Sequence, residues 1–254
     1  MRIDVLLETF GVRWQQIRAG ALTAERAGLD GVWLNDHLAG SVQGSTQVLE
    51  CWTILSALAA EVPRIALGPL VLNIANRDPG TLAVMAATLQ HVSGGRLILG
   101  LGAGARGGTS YAIEQEALGH RILTDPERRR AVEHTIAVLR QVWTGSAFPA
   151  DGFLRPEPTP PIVVAAFGPM MAELAGRVGD GICVPAGPNL AELVALARRA
   201  RVLSGRDPEH FLVTASLPSV SQGSEPWVEL GVDRLIVYVA PPFEEGVDRL
   251  AKLR

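Results

Sequence analysis

An apolar run ends at Leu34 and passes straight into Asn35, Asp36 and His37. Imidazole titrates near neutral pH, so a histidine at a strand end is a natural general acid, and a neighbouring carboxylate is a natural partner for it. The plain alternative is a structural histidine with its hydrogen bonds satisfied. A second chemical stretch is Ser93–Gly108, SGGRLILGLGAGARGG, in which Leu97, Ile98 and Leu99 lead to Gly100, Gly102 and Gly104, with Arg106 just beyond. Glycines there strip side chains from the backbone, letting a flat or charged ligand approach bare amides. A tight strand exit without a ligand gives the same pattern, and the spacing is not that of the dinucleotide fingerprint. The third stretch is Phe167-Gly168-Pro169. Proline at the first helical position leaves the amides of Met170 and Met171 in the first turn, where an anion can sit, although plain helix initiation also uses proline. Taken together, the second and third stretches suit a phosphate-tailed cofactor.

Eight strand-like runs must position these groups: Arg2–Phe10, Gly31–Leu38, Arg64–Asn73, the Leu97–Leu99 run with its glycines, Ile162–Phe167, Gly181–Pro185, Phe211–Leu217 and Arg234–Val239. Helical spacing alternates with them over Arg13–Gly28, Glu50–Val62, Pro79–Val92, Pro126–Gly145, Pro169–Val178, Asn189–Leu203 and Phe243–Leu253, with a short piece at Trp227–Leu230. The pattern lapses between Gly107 and Asp125, which reads as a long loop, and Pro149–Pro161 reads as a connector. Eight alternations in 254 residues are the arithmetic of a single α/β domain, a (β/α)8 TIM barrel over 1–254 with a long loop after strand 4 and a shortened C-terminal third. An open doubly wound sheet is the alternative. In such a barrel the reactive groups lie at strand C-termini. That puts forward Glu8, as a substrate contact, then Asp36, His37, Leu72, Asn73, the loop from Gly102 through Ala103 and Gly104 to Arg106, and Phe167 with Gly168.

Composition removes several classes. Hydrophobic residues make up 48% and charged residues 19%, as in a chain with a substantial core. A net charge of -3 argues against nucleic acid, and no apolar run is long enough for a membrane span. The only lysine is Lys252, remote from any core position, which excludes Schiff-base and pyridoxal-phosphate chemistry. Only His37 of the five histidines falls at a strand end, so no metal site is expected. Glycine clusters after strands seven and eight, which a phosphate-binding barrel would use, are replaced by Pro218-Ser219-Val220 and Pro241-Pro242. Cys51 and Cys183 read as buried thiols of a cytoplasmic protein.

Several spaced motifs together resemble the luciferase-like flavin and deazaflavin oxidoreductases. They are Trp33-Leu34-Asn35-Asp36-His37-Leu38, Glu50-x-Trp52-Thr53, Arg64-Ile65-x-Leu67-Gly68, Ser93-Gly94-Gly95-Arg96-Leu97, Gly100-Leu101-Gly102-Ala103-Gly104, Glu127-Arg128-Arg129, Trp143-Thr144-Gly145 and Ala165-Ala166-Phe167-Gly168-Pro169. The resemblance covers roughly residues 1 to 185 well and the rest loosely. It implies an oxidoreductase that binds coenzyme F420, or alternatively FMN in a monooxygenase, at the barrel mouth, and transfers a hydride to or from a small organic substrate. Asp36 and His37 would meet the deazaflavin, His37 as proton donor or electrostatic partner. A non-proline cis peptide would fall at Leu70-Val71, behind the ring, and Asn73 would contact the ring or ribityl chain. Ala103, Gly104 and Gly108, with Ala166, Phe167, Gly168, Met170 and Met171, would take the ribityl, phosphate and tail. Arg106 would hold the phosphate if the cofactor were FMN. A homodimer is implied too, the helices after strands two and three being candidates for its interface; the competing reading, motivated by Ala105 and the shortened C-terminal third, is a non-catalytic, cofactor-binding variant of the barrel. Two departures stand out: Ala105 replaces a glutamate that the sugar-phosphate dehydrogenases of the family carry, and no lysine lies near the mouth, so glucose-6-phosphate is a poor fit.

Overall fold

The computed structural model describes residues 1–146, 152–219 and 225–253. Its strands are β1 (Arg2–Leu7), β2 (Gly31–Leu34), β3 (Ala66–Pro69), β4 (Leu72–Asn73), β5 (Leu99–Gly102), β6 (Ile162–Ala165), β7 (Gly181–Pro185), β8 (Leu212–Leu217) and β9 (Arg234–Val239). All pair in parallel, in the order β3-β2-β1-β9-β8-β7-β6-β5-β4. β3 and β4 are two halves of the expected third strand, parted at the Leu70–Val71 peptide, which is cis. A parallel bridge between Leu67 and Leu97 joins the ends of the sheet and completes the expected barrel.

The helices are α1 (Trp14–Arg26), α2 (Cys51–Glu61), α3 (Pro79–Val92), α4 (Ser110–Ala117), α5 (Asp125–Thr144), α6 (Pro169–Val178), α7 (Leu190–Leu203), α8 (Glu225–Glu229) and α9 (Phe243–Ala251). Local signals set their starts: Asp78 accepts from the Thr81 amide at 2.8 Å, and Thr124 with Glu127 forms a reciprocal capping box. A recurring aspartate sets the strand starts. Asp30, Asp180 and Asp233 each precede a strand and accept from the first amides of a neighbouring one, at Ile3 (2.9 Å), Ile162 (3.1 Å) and Val213 (2.7 Å).

Two apolar layers result. The larger lies between sheet and helices, and a smaller cluster of Leu6, Trp33, Ile98, Val163, Cys183 and Ile236 fills the barrel's interior. Below it the Trp33 indole N–H donates to Asp4 at 2.8 Å, and Arg234 donates to both Asp4 oxygens at 2.6 and 2.7 Å. Gly68 makes room for Trp33, since a β-carbon there would sit 2.5 Å from the indole ring. The barrel interior is therefore plugged below this cluster.

Several expected boundaries move. The first strand stops at Leu7 instead of Phe10, because Glu8 accepts from the amides of Thr9 (2.7 Å) and Phe10 (2.9 Å) and turns the chain. The second stops at Leu34, which leaves Asp36 and His37 on a loop. The fourth runs through its glycines, with Gly100 facing Val163 and Gly102 facing Asn73 across the ladder. The patternless stretch holds α4, whose buried residues include Glu114 and Gln115; a helix that buries polar groups shows no apolar period. Residues 149–151 of the expected connector, and Val220, lie outside the described residues.

Candidate active site

Asp36 was expected to face a ligand, and its surroundings argue otherwise. Its side chain is fully buried and bidentate with Arg77 (2.7 and 2.8 Å), and it also accepts from the Asn73 amide at 2.8 Å. Arg77 donates further to Glu50 at 2.6 Å, the residue that caps α2 through the amides of Trp52 and Thr53. Burial pulls the Arg77 guanidinium down, but the two carboxylates outweigh it and hold it above its ordinary value. With both oxygens taken, Asp36 is a brace between the β2 exit, β4 and α2, and has nothing left to give a substrate.

His37 is placed differently. Its Nδ1 lies 3.1 Å from Glu114 of α4, and its ring stacks on Tyr111 and packs against Phe10, both at 5.2 Å between centroids. The other Glu114 oxygen accepts from the amides of Leu38 (2.9 Å) and Ala39 (3.1 Å). Burial pushes the Glu114 carboxyl up, yet the bonds from His37 and those amides prevail and hold it below the usual range. A carboxylate on Nδ1 assigns the proton to that nitrogen and leaves Nε2 for exchange.

The glycines of β5 prove to have a packing role. A β-carbon on Gly102 would meet Cγ2 of Val71 at 2.6 Å, and one on Gly100 would meet the Pro69 carbonyl and Val71. At Gly104 (φ +80°) it would lie 2.8 Å from the Asn73 carboxamide oxygen. These absent side chains make space for the Leu70–Val71 segment and Asn73, a packing role beside the expected one. From behind, Gln115 accepts from Ala105 N (3.1 Å) and Asn73 Nδ2 (3.3 Å), while Arg128 donates to the carbonyls of Gly104 (2.5 Å) and Ala103 (3.3 Å). Arg106 is exposed and 3.6 Å from Asp125. A β-carbon on Gly108 would meet nothing within 4 Å.

At the β6 exit Phe167 is 80% exposed, Met170 is exposed, and Gly168 too has open space where a β-carbon would be. Ala166 is buried, its amide donating to the Cys183 carbonyl at 2.9 Å. Of the two amides expected to be free, that of Met171 donates to the Gly168 carbonyl at 3.2 Å. The Met170 amide has no backbone acceptor among the described residues.

A cavity of about 310 Å³ opens at this end, near the low limit for small-molecule sites. Leu6, Leu70, Val71, Ala165 and Phe167 form apolar walls; Asn35, Ser216 and Tyr238 supply polar groups. Leu70, Val71 and Phe167 were anticipated here, whereas Asn35 and Tyr238 were not. Counting by twos would have found both, since Asn35 follows Trp33 and Tyr238 follows Ile236 on the inward face. Glu8 is not part of the cavity wall. It accepts the Tyr238 hydroxyl at 2.6 Å, and burial together with this carboxylate pushes the phenol up to about 12. A larger cavity of about 800 Å³ lies at the opposite end, beside Asp180 and Arg96. Two of its charged groups are already engaged: Arg96 donates to the carbonyls of Ser93, Ile65 and Ala59, and Asp180 is held by Arg140 and Arg206. Reactive groups of barrels sit at the other end, so the smaller cavity is the candidate site.

Comparison with known proteins bears on this end of the molecule. Residues 1–235 match the family model described as luciferase-like monooxygenase. Over 244 residues the chain is 29% identical to an F420-dependent hydroxymycolic acid dehydrogenase of Mycobacterium tuberculosis, covering 89% of this chain and 66% of that protein. It is 32% identical over 183 residues to an F420-dependent glucose-6-phosphate dehydrogenase of Kineococcus radiotolerans, covering 67% of this chain and 52% of that one. The chain thus spans about half to two thirds of the length of these curated relatives. A solved F420-dependent secondary alcohol dehydrogenase, in complex with an F420-acetone adduct, superposes with a TM-score of 0.86 at 18% identity, covering 100% of this chain and 98% of that one.

Proposed function

This chain belongs to the luciferase-like monooxygenase family, and from that premise we propose that it is an F420-dependent oxidoreductase acting on a small alcohol or ketone. The observation that carries the reading is the mouth cavity itself, walled by Leu70, Val71 and Phe167 beside the first turn of α6. The residues fit the cofactor. The apolar walls suit a flat heterocycle, and Gly168 and Gly108, each with open space in place of a β-carbon, let a phosphate-bearing tail run close to the backbone. The relatives named F420-dependent support the same choice. When bound, F420 supplies a two-electron hydride carrier.

The chain's own groups do the rest. Leu70 and Val71 buttress the ring, Asn73 and the Ala103–Gly104 loop border it, and Ala166, Phe167, Gly168, Met170 and Met171 lie along the tail. His37, oriented by Glu114 through Nδ1, exchanges a proton through Nε2. The dehydrogenase of hydroxymycolic acid and the alcohol dehydrogenase holding an acetone adduct favour a hydroxyl or carbonyl substrate. A sugar phosphate is disfavoured, because among the described residues no arginine or lysine lines the cavity. We place the protein in the cytoplasm, where the free, buried Cys51 and Cys183 stay reduced, and as a homodimer, with exposed Val84 and Val92 of α3 as apolar surface for contact. No described helix is long and apolar enough to cross a membrane.

FMN is the second reading, favoured by the exposed Arg106, a cation of the kind that pairs with a terminal phosphate. Fluorescence titration with each cofactor decides between them. F420 is expected to bind well below about 1 mM, more than about 4 kcal/mol. Tight binding of FMN with none of F420 sinks the first reading.

A further inference from the structure

Tyr238 is the one titratable side chain on the cavity wall with a charged partner behind it. Its hydroxyl lies 2.6 Å from Oε2 of Glu8, whose Oε1 is pinned by the amides of Thr9 and Phe10. Tyr238 is half-buried, and among the described residues Glu8 is the charged group that acts on it. A phenol has a single proton. Here that proton points to Glu8, so the oxygen presents lone pairs to any ligand in the cavity. A ligand atom at that point is best matched if it carries a hydrogen, as an alcohol does.

We infer that Tyr238 and Glu8 are a proton relay for the substrate oxygen, which makes secondary alcohols, and in reverse ketones, the substrate class of this mouth. The inference rests on the F420 reading above. In the oxidising direction the substrate O–H bond breaks as a new O–H forms on Tyr238. The original Tyr238 proton crosses to Oε2 of Glu8. The electron pair of the substrate C–H bond leaves with its hydrogen as the hydride that oxidised deazaflavin accepts. The alcohol has then lost one proton and one hydride and is a ketone, and Glu8 returns its proton to solvent. Tyr238 is the catalytic residue of this relay. Glu8, which does not touch substrate, positions the phenol and receives its proton.

The test compares the wild type with Tyr238→Phe, Glu8→Gln and Glu8→Asp, using 2-propanol as substrate and F420 as oxidant. F420 affinity, read by fluorescence, is expected to be the same in all four proteins. The kcat of Tyr238→Phe and Glu8→Gln should fall about 10²- to 10⁴-fold with little change in KM, Glu8→Asp should lie between, and added acetate should restore part of the rate in Glu8→Gln alone. A readout independent of turnover is alkaline tyrosine absorbance. A step near 12 should vanish in Tyr238→Phe and move towards about 10 in Glu8→Gln. Variants that bind F420 and turn over 2-propanol at the wild-type kcat overturn the relay while the cofactor reading stands. A wild type that binds no F420 overturns both.

Discussion

His37 and Glu114 are 77 positions apart in sequence, yet the carboxylate holds the imidazole by Nδ1. Removing the imidazole tests the acid directly: His37→Ala is expected to bind F420 normally and lose about 10²- to 10⁴-fold in rate. Glu114→Gln is milder. It retains an acceptor for Leu38 and Ala39 but weakens the hold on Nδ1, and a loss of about 10- to 100-fold is expected by analogy with partners that orient catalytic ligands. The same carboxyl has a pH signature. Its pKa is lowered in the folded state, so its stabilising contribution is complete above the ordinary glutamate value of about 4.3 and is lost as pH falls through the lowered one. Urea melts between pH 3 and 7 should therefore converge for wild type and Glu114→Gln at the acid end. A constant gap across that range would contradict the assignment.

At the level of elements, β5 and the Leu70–Val71 segment are fitted to each other. The strand has glycine where Val71 needs room, so the mouth wall and the strand beneath it are one packing unit. A methyl at Gly102 would lie 2.6 Å from Val71. Gly102→Ala should lower stability by about 1–3 kcal/mol through overpacking, read as a drop in Tm, and displace Val71 from the cavity wall with a loss of cofactor affinity. Adding Val71→Ala should recover much of the Tm but not the affinity; a double mutant no better than the single would show that the two sites are not coupled. α4 has a comparable double role. It supplies Glu114 to the His37 loop and Gln115 to the Ala105 loop, so a helix without an apolar stripe is what links the β2 and β5 exits.

For the whole molecule, the decisive contact is the plug at the barrel floor. Asp4, Trp33 and Arg234 come from the first, second and last strands respectively and are all essentially inaccessible. Asp4→Ala would leave the Arg234 guanidinium buried and unpaired, at an expected loss of about 3–5 kcal/mol in chemical denaturation. An effect below about 1 kcal/mol would mean that water reaches the floor. This plug fills the barrel interior at the strand starts.

The order of strands and helices was legible in the sequence, apart from α4 and the parting of the third strand into β3 and β4. Apolar runs, prolines at helix starts, and the aspartates and glycines between elements are local signals, written within a few residues of what they specify. Strand-end candidates such as Phe167 came from the same alternation, while Leu70 and Val71 came from the family resemblance; all three line the mouth cavity. The assignment of partners was not legible. Asp36 turns to Arg77 and away from the cavity, Glu114 joins His37, and Tyr238 meets Glu8 across 230 positions. Those pairings depend on barrel closure and on which way each side chain points from its strand, and the chain acquires both only when its first and last strands lie side by side.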